Sequence, residues 1–549
     1  MRRLTPFAPV LLAALVLGAC STTHDSPVAH RPAPEPARRA PVDMPAPPPA
    51  PSSLSALTVT GSRLAAYPAN TERYAEIDDN PVHRASEQPV STFSVDVDTG
   101  SYSNVRRMLL DGVRPPANAV RTEELINYFD YGHPAPQGDE APFRVTTELA
   151  PAPWNAQRQL LMIGIKGHDI ARAQLPPANL VLLVDTSGSM HSPDKLPLLK
   201  RALGMLVRQL RPIDTVAIVA YAGSAGLVLA PTTGDRQGKI LAALSQLEAG
   251  GSTNGGEGIR LAYALARQSF VEGGSNRVLL ATDGDFNVGT IDQGALETLV
   301  SDQRASGIAL TTLGFGRGNY NDALAERLAD LGNGNHAYID SALEARRVLV
   351  EAMGSTLATI ASDVKVQVEF NPAVVAEYRL VGYENRVLRN EDFANDKVDA
   401  GEIGAGHEVT ALYEITPVGS EATRLPPLRY GAPRSGSNET GEVAHLRLRY
   451  KQPGSDRSQL VETPILASQL QARPSDPLRF AAAVAGFADM LRGGTRTDGW
   501  GWEGVLATAR AADGVPQAGL RREFVELVEL ARDLVEPGQA QEEPGRTAP

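Results

Sequence analysis

Cysteine is nearly absent: the 549-residue sequence contains one, Cys20. With no second thiol, no disulfide can form within the chain, so packing and polar contacts must hold the fold. Aromatic residues make up only 5% of the chain, too few for a base-stacking platform. Positive charge does not dominate either. Lys and Arg number 52 against 64 Asp and Glu, a net charge of −12, which argues against nucleic acid as a partner. The nine histidines are scattered, with no H-x-x-x-H, H-E-x-x-H or Cys/His cluster, so a zinc site finds no support. No G-x-S-x-G is present, and no G-x-G-x-x-G follows the first buried strand; a hydrolase elbow and a dinucleotide site are both disfavoured.

What is present is a short loop between a strand and a helix. The apolar run Leu180-Val-Leu-Leu-Val184 reads as a strand buried on both faces. It leads into Asp185-Thr-Ser-Gly-Ser189 and then a helix over 197–210. Open α/β sheets bind ligands at the carboxyl ends of such strands. One carboxylate and two hydroxyls at alternate positions are hard oxygen donors suited to Mg²⁺. Gly250-Gly-Ser-Thr253-Asn-Gly-Gly opens a further crossover helix. Arg277-Val-Leu-Leu-Ala-Thr-Asp283 is a second buried strand ending in a carboxylate. Asp283-Gly-Asp285-Phe-Asn287 imitates the start of an EF-hand loop, but Val288 stands where that loop needs Gly and Gly294 where it needs Glu. Asp285 and Asn287 are read as rim residues.

These segments, in this order, resemble the von Willebrand factor A domain and its metal-ion-dependent adhesion site. The resemblance implies metal donors at Asp185, Ser187, Ser189, Thr253 and Asp283. It also implies an ion with one open position, filled by an Asp or Glu of a protein partner. The cofactor expected is Mg²⁺, with Mn²⁺ or Ca²⁺ as alternatives. A metal-dependent hydrolase is a competing class, because an open metal position can activate water. No titratable base is evident near the loop, so no enzyme activity is expected. A structural envelope scaffold with a vestigial metal site is the other alternative.

The N-terminus reads as a targeting segment. Arg2 and Arg3 precede an apolar stretch, Val10 to Leu17, too short to span a bilayer, and Leu17-Gly-Ala-Cys20 resembles a bacterial lipoprotein box. The resemblance implies cleavage after residue 19, acylation of Cys20 and, with Ser21 following, attachment to the outer membrane on the periplasmic side. Residues 20–74 then form a Pro/Ala-rich tether. Leu57 to Leu64 resembles a short segment of TonB-dependent receptors, and is read as a plain extended stretch.

Residues 75–142 are a leader with a strand near 91–97 and helices near 103–110 and 122–129. Asp98-Thr-Gly-Ser101 copies the aspartic protease signature, but no second Asp-Thr-Gly exists to share a proton. The leader, with Val90 to Val105 and Arg121 to Phe129, instead resembles the YfbK-type bacterial von Willebrand A-domain lipoproteins, as does Thr312 to Asp322. Between 179 and 362, strands, among them 309–315 and 336–339, alternate with amphipathic helices, the last over 341–360, which implies a doubly wound, mostly parallel sheet. Alternating strands occur on both sides of it, in 143–178 and in 363–470. Doubly wound domains bring their termini together, so these flanks are expected to pair in one antiparallel β-sandwich with the α/β domain inserted. Helices are expected over 478–491 and 520–535 within 471–536, before a polar tail, 537–549.

Overall fold

The structure is a computed structural model that describes residues 71–137, 141–284, 293–398, 400–429, 441–455, 457–512 and 517–535. Cys20 and the tether through residue 70, Leu57 to Leu64 included, lie outside the described residues, as do Asp285 and Asn287.

The apolar run beginning at Leu180 becomes the strand Ala178–Asp185 in a six-stranded sheet. Its side chains serve two cores in alternation. Leu180, Leu182 and Val184 face one layer, while Val181 and Leu183 face the other, all at 0% exposure. A strand buried on both sides needs this unbroken apolar sequence, and each such side chain contributes about 1.5–3 kcal/mol on burial. The sheet order is His336–Ile339, Ala309–Phe315, Ser275–Thr282, Ala178–Asp185, Thr215–Tyr221, Ala225–Thr233, parallel except for the last. After Ala178–Asp185 the chain first adds Thr215–Tyr221 on one side and later Ser275–Thr282 on the other. The strand order therefore reverses between the carboxyl ends that carry Asp185 and Asp283, the place where such sheets bind ligands.

This α/β fold is inserted in an antiparallel β-sandwich. Strand Asn155–Gly167 pairs with Phe143–Ala152 and, across the insertion, with Glu408–Pro417, from Gln159 opposite Ile415 to Lys166 opposite Glu408. Val375–Val381 and His83–Arg84 extend that sheet. In the second sheet Thr359–Phe370 pairs with Glu442–Lys451, Gly401–Gly404 and Val90–Ser94, and Ser458–Leu466 pairs with Glu442–Lys451. Inner faces of both sheets share one core, with Ile163 and Ile165 alongside Val364, Val366 and Val368. The chain leaves at Gly167 and returns beside it: a Cβ at Gly167 would lie 2.7 Å from Ile360 Cδ1.

The leader does not stand apart. Its strand Val90–Ser94 completes the sandwich, while its helices Gly100–Leu110 and Thr122–Asn127 share a core with Asp476–Arg492, Gly501–Arg510 and Ala518–Val535. Phe129 meets Phe480 edge-on at 4.9 Å and Phe524 at 5.7 Å. Ser475 caps Asp476–Arg492 by accepting from Leu478 N. Helix Gly501–Arg510 was not anticipated, because two glycines in Gly501-Trp-Glu-Gly504 weaken its local preference. Burial of Trp502, Val505 and Leu506 decides it instead. The single helix expected over 341–360 is broken into Ala342–Arg346, a π turn Arg347–Glu351 and Met353–Leu357, with strand from Thr359. Arg347 sits in that turn, 4.1 Å over the Tyr128 ring and bonded to Thr99 and Glu344.

Two arginines, Arg121 buried and Arg386 half-buried, join the three parts. Arg121 of the leader donates to Glu124 at 3.1 Å and pairs with Asp322 at 2.8 Å and with Glu326, both on helix Asp322–Leu331. Arg386 of the sandwich reaches Asp96 at 3.0 Å, Asp98 at 3.5 Å and Asp330 at 2.7 Å. The protease-like Asp98 also accepts from His336 N at 2.8 Å, so it is a strut of this junction.

Acids outnumber these cations, and a pH dependence follows. Burial first, then Glu384 and Asp96, push the Glu123 carboxyl up to about 8. Burial raises Glu326 to about 7 against the pull of Arg121. The unfolded chain releases these protons near pH 4.3, so stability should be lost as pH rises from about 4.3 through about 8. Buried His133, pushed down to about 4 by burial, has the opposite effect, but only below its unfolded value of about 6.5. The melting temperature should therefore fall from about pH 6.5 to about pH 8.5, and Glu123→Gln should flatten the fall. A melting temperature that climbs over this interval would contradict the assignment.

Candidate metal centre at the switch point

Asp185 ends its strand at 0% exposure, and Ser187 is 2% exposed. The turn between them is closed by Ser187 N donating to Asp185 Oδ1 at 2.9 Å. Ser187 Oγ and Ser189 Oγ lie 2.9 Å apart. The loop carrying Thr253 is fastened against this turn by backbone: Gly188 N donates to Gly251 O at 3.0 Å, and Gly250 N to Thr186 O at 2.8 Å. Thr253 itself is half-buried. Asp283, 0% exposed, follows the neighbouring strand Ser275–Thr282. The fold thus brings the two loops and the second strand end to one edge of the sheet.

The second oxygen of Asp185 is oriented by Tyr221 OH at 3.1 Å and Thr282 Oγ1 at 3.2 Å. Burial pushes the Asp185 carboxyl up to about 6; the Ser187 hydrogen bonds oppose this and nearby Asp283 adds to it. Asp185, Ser187, Ser189, Thr253 and Asp283 are all oxygen donors and could hold a small hard divalent ion. Among the described residues no group of three or more His, Cys, Asp or Glu side chains could do so. An ion at this edge would therefore depend on the hydroxyls.

Four residues that the sequence did not single out shape the site: Tyr221, Thr282, Lys195 and Asn319. Lys195 Nζ donates to Asp283 Oδ2 and to Asn319 Oδ1, each at 2.8 Å, and Asn319 Nδ2 reaches the same Asp283 oxygen at 3.2 Å. Lys195 passes directly over Gly316, where a Cβ would lie 2.3 Å from the lysine stem; Gly316 has φ +75°. Glycine is required there on both counts. In Gly314-Phe-Gly-Arg-Gly318, Gly316 thus makes room for the Lys195 side chain, whereas a Cβ at Gly314 would meet the Tyr320 ring instead.

The hydrogen-bond partners Tyr221, Thr282, Lys195 and Asn319 all belong to the inserted fold. Segments N-terminal to it nevertheless reach this edge: the leader through Asp111, and residues 71–73, expected within the tether but fixed here by backbone bonds. Thr71 N donates to Gly318 O at 2.8 Å, Arg73 N to Tyr320 O at 2.9 Å, and Gly318 N to Glu72 Oε1 at 2.9 Å. Arg317 pairs with Asp111 at 2.8 Å. The residues next to Asn319 are thereby held from outside the α/β fold.

Three family profiles match the chain: "von Willebrand factor" over 68–162, "von Willebrand factor type A domain" over 180–285 and "Uncharacterized protein YfbK, C-terminal" over 355–534. The chain is 48% identical to YfbK of Escherichia coli K12 over 477 residues, covering 85% of this chain and 82% of that one. It is 27% identical to the Synechocystis protein sll0103 over 341 residues, covering 60% and 75%. Among solved structures, a von Willebrand factor type A protein from Catenulispora acidiphila matches at 15% identity and TM-score 0.40, over 72% of this chain and 91% of that one. The ArnB paralog VWA2 from Sulfolobus acidocaldarius matches at 15% identity and TM-score 0.36, over 72% and 98%. Identity of this level over most of both sequences settles the relationship: the chain belongs to the YfbK family of von Willebrand factor type A domain proteins.

Proposed function

We propose that this chain is a non-enzymatic binding protein of the bacterial cell envelope, held through lipid on Cys20 to the periplasmic side of the outer membrane. Its A-type domain binds a protein partner through Mg²⁺, or Mn²⁺ or Ca²⁺ in its place. The supporting observation is the fastening of the Asp185–Ser189 turn to the Gly250–Thr253 loop beside Asp283, at the reversal of strand order. Domains of this type commonly mediate protein interactions. Ser187, Ser189 and Thr253 would hold the ion by their hydroxyls, with Asp185 and Asp283 directly or through water. When bound, the ion supplies a Lewis-acidic position for a partner's Asp or Glu. Tyr221 and Thr282 keep the Asp185 carboxylate aimed and limit its freedom.

The Lys195–Asp283 pair favours a second reading, a scaffold in which an ammonium has taken over the role of the ion. A melting experiment separates the two. At a hundredfold excess over Kd, Mg²⁺ should stabilise the native chain by about 2.7 kcal/mol. For a domain of this size that is roughly 5–10 °C. Asp185→Ala should abolish the shift. Identical melting of the parent in EDTA and in millimolar Mg²⁺ would leave the scaffold reading standing.

Anchoring has its own test. Among the described residues no helix is long and apolar enough to cross a membrane. Cys20→Ser should release the chain from membranes or leave it unprocessed, since every acyl chain depends on that sulfur. Fractionation of the variant with outer membranes, as for the parent, would refute lipid attachment.

A further inference from the structure

An open groove of 590 Å³ lies beside the candidate metal centre, lined by Met190, Leu196, Pro197, Leu247 and Ala249 among others. Met190, Leu196 and Leu247 are buried, whereas Pro197 is exposed and Ala249 half-buried. The groove and the metal centre are built from the same two loops. Met190 follows Ser189 directly, and its N–H donates to Ser187 O at 3.0 Å. Ala249 lies on the other loop, adjoining Gly250, whose N–H bonds Thr186 O at 2.8 Å. The backbone bonds that fasten the two loops thus also fix the groove against the metal hydroxyls. Lys200 and Arg201 flank it, opposed by a single carboxylate, Glu248. Lys200 is anchored on Ser245 O and Leu247 O at 2.7 and 3.0 Å, and Arg201 is exposed.

We propose that this groove is the second half of the partner site and takes an aliphatic side chain from the protein segment whose carboxylate meets the ion. The inference rests on the metal-dependent reading above and names the partner's chemistry. The occupant is an extended acidic–aliphatic segment: an Asp or Glu for the ion, and a Leu, Ile or Met within about four residues of it, at about 3.3 Å per residue. The two cations against one carboxylate favour further acidic residues in that segment. Seating one aliphatic side chain on this floor should tighten binding roughly tenfold.

The test is selection of a displayed peptide library, one fixed Asp flanked by random residues, on the full chain in Mg²⁺ and in EDTA. Thermal melts in the two buffers are run in parallel. The expected result is Mg²⁺-dependent enrichment of Leu, Ile or Met at one fixed offset from the Asp. Pro197→Glu should abolish that enrichment. Pro197 is exposed in the first turn of helix Leu196–Val207, where a carboxylate is tolerated, so this variant should keep the parent's Mg²⁺ melting shift. Enrichment without an aliphatic offset, enrichment that survives Pro197→Glu, or no enrichment despite a Mg²⁺ melting shift would each overturn the groove while leaving the metal site intact. Loss of the parent's melting shift itself would overturn the metal reading and this inference with it.

Discussion

Arg121→Met should destabilise the folded chain by about 3–5 kcal/mol, because it leaves buried carboxylates without their cation. Arg121 is 1% exposed and pairs with Glu124, Asp322 and Glu326. Glu124 is further held by Ser101 N at 2.8 Å, so it cannot move away to find water. The partners come from two parts of the molecule, the leader and the α/β fold. The damage should therefore appear first as protease sensitivity where these meet. The loss should be larger at about pH 8.5 than at about pH 6, since at lower pH the raised Glu326 carboxyl can take a proton and relieve the repulsion. Arg121→Met with Glu326→Gln should recover part of the loss, by removing one uncompensated charge. Urea melts at the two pH values measure this. A cost below about 1 kcal/mol at both would show that the cluster is solvated rather than buried.

Lys195→Met should produce the second large effect, and its size should depend on Mg²⁺. In EDTA, Asp283 loses its ammonium partner in a fully buried position, and the chain should melt well below the parent, by about 3–5 kcal/mol. On the proposed metal site, Mg²⁺ then replaces the missing charge. Removing a like charge from beside the ion should also raise Mg²⁺ affinity, by about tenfold or more, since even 1.4 kcal/mol of relieved repulsion gives that factor. The Mg²⁺-induced melting shift of the variant should exceed the parent's, and titration calorimetry should give a lower Kd. An equal or smaller shift would show that Lys195 does not compete with the ion. With the ammonium retained, two carboxylates share two cations, so a bound ion keeps more of its charge for an acidic partner.

Much of the inserted fold could be read directly from the chain. Expected strands at 309–315 and 336–339 match Ala309–Phe315 and His336–Ile339 residue for residue. Asp185, Ser187, Ser189, Thr253 and Asp283 could be named as candidate donors, because each sits at a strand end or near a helix start that local pattern announces. Pairing of the flanks followed from where the chain must leave and re-enter the inserted domain. The strand Asn155–Gly167 lies beside Glu408–Pro417 accordingly.

Other features had no local signal. Val90–Ser94 reads as a strand, yet nothing in its pattern says that it pairs with Thr359–Phe370, more than two hundred residues away. Helix Gly501–Arg510 runs against its own glycines and exists because Trp502 and its neighbours find a core to enter. Lys195 could be any solvated lysine until Gly316 lets its stem pass and Asp283 receives its charge. Periodicity records that a side chain is to be buried, and loop spacing records which donors share a turn. These are local properties, so sequence alone determined most of the elements, the inserted α/β class and the choice of five candidate donors. Which surface covers each face, and which cation neutralises each buried carboxylate, depends on residues brought together by the whole chain, and only the tertiary structure decided them.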